Sequence, residues 1–247
     1  MAKPSFTIAA LQPADVPRVA RIGADSFQGD RHTEMKALGR EPYDHEATMC
    51  EIVPGFLRHP RLVCLKAVDD MSGDIMGYCI WGFRGFGPDE MPHVTGRTQP
   101  NELPATRANE DLPQLDDLST DDPIKRLNAI TDAHMAAWVE EVMPPDVRCL
   151  YVVMLSVSPN HQGRGVGSSL LQWGLDYCHE HDVFAWVHSS EPAHGVYAKM
   201  GFETVRSLAI NLDEYAPCSP PNEGPDARWG HYAVRYMKYM PRKGQSA

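Results

Sequence analysis

The chain has 247 residues, 43% of them hydrophobic and 23% charged, with a formal net charge of −10. That length and balance fit one soluble globular domain carrying an insertion, or two small ones. The acidity argues against a broad nucleic-acid or anionic-membrane surface, so neither is expected as a partner.

No run approaches the ~20 apolar residues of a membrane span. The first residues, "MAKPSFTIAAL", lack the apolar core of a secretory signal. The six cysteines are scattered without a C-x-x-C pair, which fits reduced thiols and a cytoplasmic setting. The eleven histidines show no H-x-x-x-H or H-E-x-x-H spacing, so no metal is expected.

In chain order, "SFTIAAL" reads as a strand and "PADVPRVARIGADSF" as a helix with Val16, Val19, Ala20, Gly23 and Phe27 on one face. A second helix is expected within residues 44–57. "RLVCLKAV" and "DIMGYCIWGF" read as two strands joined by "DDMSG". Residues 85–122 hold nine acids against Arg97 and Arg107. They read either as a solvated insertion or as a lid attracting a cationic substrate.

Pro123 follows the capping candidates Asp121 and Asp122 and opens a helix to about Val142, before Pro144 and Pro145. "RCLYVVMLSV" is the strongest strand. A glycine turn, a helix to about His181, the strand "VFAWVHS" and the helix "PAHGVYAKM" closed by Gly201 come next. "FETVRSLAIN" and "HYAVRYMKYM" read as the last strands, separated by a loop.

The turn is the informative stretch. Gly163, Gly165 and Gly167 stand between the strongest strand and a helix. Backbone N–H groups at a helix start carry the positive end of its dipole, and glycines let a phosphate approach them closely. Arg164 adds a charge. Behind the turn, Gly167, Leu170, Leu171, Gly174, Leu175 and Cys178 form one apolar stripe. The NTPase phosphate loop needs a lysine that is absent here, and "GRGVGS" has the wrong spacing for a dinucleotide fingerprint. A polyanion held by main-chain amides is the remaining reading, beside a glycine turn with no ligand.

"QGRGVG" at 162–167 resembles the [Q/R]-x-x-G-x-[G/A] signature of the GNAT superfamily of acyl-CoA-dependent N-acyltransferases. "LSVSPNH" resembles that family's L-x-V-x-P strand end, and "AHGVYAKMGF" at 193–202 its A-x-x-x-Y-x-x-x-G-F block. The resemblance is clear over about 147–210. It implies an α/β (α+β) fold: a mixed, mostly antiparallel central sheet flanked by helices, with a splayed strand pair. The whole chain is then one domain, with 85–122 as an insertion within it.

The resemblance further implies that acetyl-CoA is the cosubstrate. Its pyrophosphate would rest on amides of Gln162, Gly163, Arg164, Gly165, Val166, Gly167 and Ser168. Its pantetheine arm would pair with Leu155, Ser156 and Val157. Ser190 stands where many relatives carry an asparagine that contacts the cofactor, which leaves that contact open. Tyr197 is the implied general acid, protonating the departing thiolate; its bland alternative is a core ring beside Ala193, Val196 and Met200.

The glutamate many relatives use as base corresponds to Tyr151 here. His188 at a strand end is the candidate in its place, because an imidazole accepts a proton near neutrality. Glu191, a water chain and a purely structural His188 remain alternatives. A covalent route through Cys149 or Cys178 is disfavoured by their buried-looking positions. Phe27, Trp81, Phe83 and the aromatics of "HYAVRYMKYM" are candidate cleft residues, with core packing as the alternative.

The expected activity is transfer of an acetyl group to a primary amine of a small molecule, by a monomer or homodimer. A peptide or protein N-acetyltransferase and a coenzyme A-binding module with lost catalysis are the alternatives.

Overall fold

The structure is a computed structural model describing residues 5–97, 121–221 and 223–241. Seven strands form one sheet in the order β1-β2-β3-β4-β5-β7-β6. The strands are β1 (Phe6–Ala10), β2 (Leu62–Asp69), β3 (Ile75–Arg84), β4 (Cys149–Val157), β5 (Phe184–Ser189), β6 (Glu203–Asn211) and β7 (His231–Tyr239). Only the β4–β5 pair is parallel; every other neighbour is antiparallel.

The helices are α1 (Val16–Ser26), α2 (Arg31–Lys36), α3 (His45–Arg58), α4 (Pro123–Val142), α5 (Val166–His181) and α6 (His194–Lys199). One face of the sheet packs under α5 and α6, burying Trp81, Leu150, Leu170, Leu171, Leu175, Ala185, Val187 and Tyr197. On the other face α1 and α3 cover Tyr78 and Ile80. There α2 and α4 cover the β5–β7–β6 end, with Leu127, Tyr232, Trp138, Trp186 and Tyr236.

Local chemistry explains these elements. Asp122 caps α4 through Ile124 N (2.9 Å) and Lys125 N (3.3 Å), with Pro123 in the first turn; such a cap contributes about 1 kcal/mol. Asp44 caps α3 through Ala47 N at 2.9 Å, and Asp30 caps α2 through Thr33 N at 2.9 Å. The sequence reading missed α2 because it is six mostly polar residues with one buried side chain, Met35. The stripe expected on α5 is buried from Leu170 to Cys178, while Gln172, Asp176 and Glu180 face outward.

Two close approaches fix the sheet against its neighbours. A Cβ on Gly174 of α5 would lie 2.3 Å from the Trp81 ring, and one on Gly82 would lie 2.1 Å from the Tyr151 ring. Both large rings therefore need a glycine opposite them. Trp81 is tied further by its indole N–H, which donates to Leu170 O at 3.2 Å.

Most of the acidic segment expected as an insertion or lid, residues 98–120, lies outside the described residues. Its first part is anchored. Tyr177 donates to the Glu90 carbonyl, Arg148 pairs with Glu90 at 2.8 Å, and Arg97 donates to Leu62 O at 2.9 Å. Those anchors sit where β2 and β4 begin, the end opposite the one where β4 terminates.

Candidate active site

The site begins where two strands part. β4 and β5 pair from Cys149↔Phe184 to Val152↔Val187 and no further, although β4 continues to Val157 and β5 to Ser189. At the parting β4 carries a bulge against β3: Val152 opposes Trp81 and Met154 opposes Ile80, leaving Val153 unpaired. Val153 and Met154 consequently pack on the same cluster. An extra residue bends its strand and sharpens its twist, which turns β4 away from β5. Edge groups of β4 beyond Val152 therefore face a gap. Leu155 and Val157 turn their side chains to the α5 face, and Ser156 is buried against the Tyr78 phenol.

After β4, Pro159 opens a short turn and the chain reverses through Gly163 (φ +73°) and Gly165 (φ +85°). A Cβ at either would meet nothing within 4 Å, so the left-handed backbone, not crowding, is what favours glycine there. Gly167 lies closer to β4, its hypothetical Cβ 3.5 Å from Val157.

The first α-helical bond of α5 runs from Ser169 N to Gly165 O at 2.9 Å, and no side chain caps the helix. The amides of residues 163–168 accordingly donate to no described residue. Six such N–H groups at a helix start, next to the gap, match what a diphosphate requires. Gln162 closes the turn, its side-chain amide donating to Val157 O at 3.1 Å and its backbone N–H to Pro159 O at 3.4 Å. Arg164 is exposed, Ser168 half-buried, and the Val166 side chain belongs to the core.

Tyr197 and His188 lie on opposite faces of the sheet. Tyr197 is 4% exposed and shares its cluster with Leu155, Val157 and Val187, with its ring 5.6 Å from Phe202. Burial pushes its phenol well above the ordinary tyrosine range, so the hydroxyl keeps its proton. His188 points to the α4 face and stacks on Tyr236 at 5.0 Å. Burial, with smaller contributions from His32 and His134, lowers its imidazole to about 4, and it stays neutral at pH 7.

Tyr151, at the position of the relatives' glutamate, is stacked on Trp186 at 5.5 Å. Burial raises its phenol, which suits it for packing and not for taking a proton. Glu191 is half-buried, 3.8 Å from Arg235, with its amide donating to the Tyr232 hydroxyl at 3.2 Å. Ser190 lies against the same hydroxyl and caps nothing, since α6 starts four residues later. Burial pushes the Cys149 and Cys178 thiols up to about 12, which removes the thiolate a covalent route needs. Trp81 and Phe83 are fully buried under α5 and are core residues, not cleft residues; Phe27 is half-buried against His45 at 4.8 Å.

Several residues near His188 escaped the sequence reading. His32 stacks on Tyr232 at 5.3 Å, and Tyr232 donates to the buried Asp30 carboxylate at 2.8 Å. His134 Nδ1 lies 2.9 Å from the Tyr236 hydroxyl. The available signals were the Tyr232, Val234, Tyr236 alternation on β7 and the i, i+4 pair His134 and Trp138 on α4.

Comparison with known proteins agrees with this geometry. The Acetyltransferase (GNAT) family profile matches residues 89–202. An "Acetyltransferase" of Stachybotrys chartarum is 26% identical over 212 residues, covering 84% of this chain and 85% of that one. The fold resembles arylalkylamine N-acetyltransferase 2 from Aedes aegypti (TM-score 0.58, 13% identity, 96% and 100% of the two chains). It also resembles mosquito arylalkylamine N-acetyltransferase like 5b (TM-score 0.54, 13% identity, 96% and 100%). The strands that part and the unbonded row of amides both lie within residues 89–202, the part of the chain that is similar to the Acetyltransferase (GNAT) family.

Proposed function

We propose that this protein moves the acetyl group of acetyl-CoA to a primary amine of a small molecule by direct attack, in the cytoplasm. The observation that carries the reading is the parting of β4 from β5 after Val152 and Val187, beside the six unbonded amides of residues 163–168. The amides of residues 163–168 hold the diphosphate; Gln162, expected to share in this, instead spends its N–H on Pro159 O and its side-chain amide on Val157 O. The free edge of β4 at Leu155, Ser156 and Val157 aligns the pantetheine arm and offers N–H groups to the thioester oxygen, whose negative charge grows during attack. Ser190 borders the gap from the β5 side.

An alkylamine arrives mostly protonated at pH 7 and must lose a proton before it attacks. His188, on the α4 face at the strand end, takes that proton, against a burial that lowers its imidazole below the near-neutral range expected from sequence. The nitrogen then attacks the thioester carbon, the nitrogen's second proton passes to solvent as the carbon–sulfur bond breaks, and Tyr197 on the opposite face gives its proton to the leaving thiolate. Acid and base on opposite faces, with the gap between them, suit a donor and an acceptor that enter from opposite sides.

Calorimetry with coenzyme A and thiol release from acetyl-CoA with spermidine, 2-phenylethylamine, kanamycin and a lysine peptide test the reading. Binding with turnover of a small amine is expected. Absence of coenzyme A binding by folded protein would end it, and turnover of the peptide alone would replace the small-molecule acceptor.

A further inference from the structure

Beneath His188 lies a row of rings. His188 and Tyr236 are register partners on β5 and β7, stacked at 5.0 Å with 27° between their planes. Tyr236 has no exposed surface, and its ring lies 5.3 Å from Trp138. Its hydroxyl meets His134 Nδ1 at 2.9 Å. The row continues through Trp186 to Tyr151. His134 and Trp138 are one turn apart on α4, so a single helix face holds Tyr236 at both its ring and its hydroxyl.

We propose that His134 and Tyr236 are positioning residues for His188: the α4 histidine fixes the phenol, and the phenol ring fixes the imidazole at the gap. This deepens the proposed function, because it takes His188 as the base. The physical reason is twofold. A half-buried imidazole at a strand end has a rotatable ring, and a flat partner with its own hydroxyl tethered restricts that rotation. Burial also raises the Tyr236 phenol to about 12, so it has a proton to donate to His134. A phenol that donates has a more electron-rich face, which stabilises the positive charge His188 acquires on accepting a proton.

A double-mutant cycle tests this, with His188→Ala as reference and the amine among spermidine, 2-phenylethylamine and kanamycin that releases thiol fastest. His134→Ala and Tyr236→Phe should each lower kcat about tenfold, a fraction of the 10²–10⁴ a general base contributes, with KM for acetyl-CoA unchanged. The double variant should be no slower than either single one, because both remove the same tether. His134→Gln, which keeps a polar atom near the phenol, should recover most of the rate.

Ring ¹⁵N spectra of His188 should shift alike in both single variants. Multiplicative losses in the cycle, wild-type rates in both single variants, or an unmoved His188 signal would overturn the proposal. Full turnover by His188→Ala would instead sink the base assignment, while the spectra would still decide whether the two residues hold the ring.

Discussion

The two faces of the sheet build their halves of the site from different material. On the α5 face the cradle is main chain, contained in residues 162–168 and formed by amides that no described residue engages. On the α4 face the site is side chains gathered from α2, α4, β5 and β7, and one of its hydrogen bonds joins residues 202 positions apart, Tyr232 and Asp30. A main-chain site tolerates changes in side chain and demands particular φ values. A side-chain site demands packing partners and tolerates none of their loss. The first kind leaves a compact mark in a sequence; the second leaves residues that look like core.

The sharpest way to break that contrast is Tyr197→Phe, since Tyr197 is a side-chain element on the main-chain face. Its ring is buried and its hydroxyl is protonated, so the phenylalanine keeps the packing and removes only the proton. Turnover should fall about 10²-fold, within the range for a positioned acid, with coenzyme A affinity unchanged. Steady-state rates beside calorimetry check this, and an unchanged kcat would return Tyr197 to the core.

Glycines on the two sides should then respond differently. Gly82→Ala drives a Cβ to 2.1 Å of the Tyr151 ring and should cost about 2 kcal/mol by overpacking. Tyr151→Ala in the same chain should restore much of that loss. Gly163→Ala meets nothing within 4 Å and should cost only its left-handed strain, about 1 kcal/mol. Urea unfolding compares them, and equal losses would show that crowding does not distinguish the two positions.

A third change sharpens the assignment of the cradle. Gly165→Glu sets a carboxylate at the start of α5, where the helix dipole would otherwise favour the cofactor's own charge. Coenzyme A affinity should drop about tenfold, while His188→Ala on the other face leaves it unaltered. Calorimetry on both variants decides; a loss of affinity in His188→Ala would mean the faces are not separable.

The same contrast explains what could be read from the residues. Among the described residues, seven strands and five of the six helices follow from apolar alternation, the cap Asp122 and the break at Pro144; the Asp44 cap of α3 came only with the structure. The glycine turn was legible because left-handed backbone restricts residue choice. The helix α2 was not, for it is one turn and a half held by Asp30 and Met35. Trp81 and Phe83 were placed equally well in a cleft or a core, and only their full burial under α5, with Gly174 closing on the Trp81 ring, separates the two. For His134 the local sign was its i, i+4 spacing to Trp138, which does not name the partner Tyr236, 102 residues away.

The smallest effect concerns pH and belongs to the side-chain face alone. Burial lowers both His32 and His188 from 6.5 to about 4. Below pH 6.5 the unfolded chain binds protons at these two rings that the folded protein refuses until about pH 4. Stability therefore falls as pH drops through that window, and the contribution is complete above it. Between pH 7.5 and pH 6 each ring should remove about 1 kcal/mol. His32→Phe, which keeps a flat ring against Tyr232, should flatten its share of the slope, whereas Gly163→Ala should leave the slope as in the wild type. Urea midpoints across that interval measure it. A slope unchanged by His32→Phe would mean that this imidazole titrates as it does in water, and that the α4 face is less closed than its packing indicates.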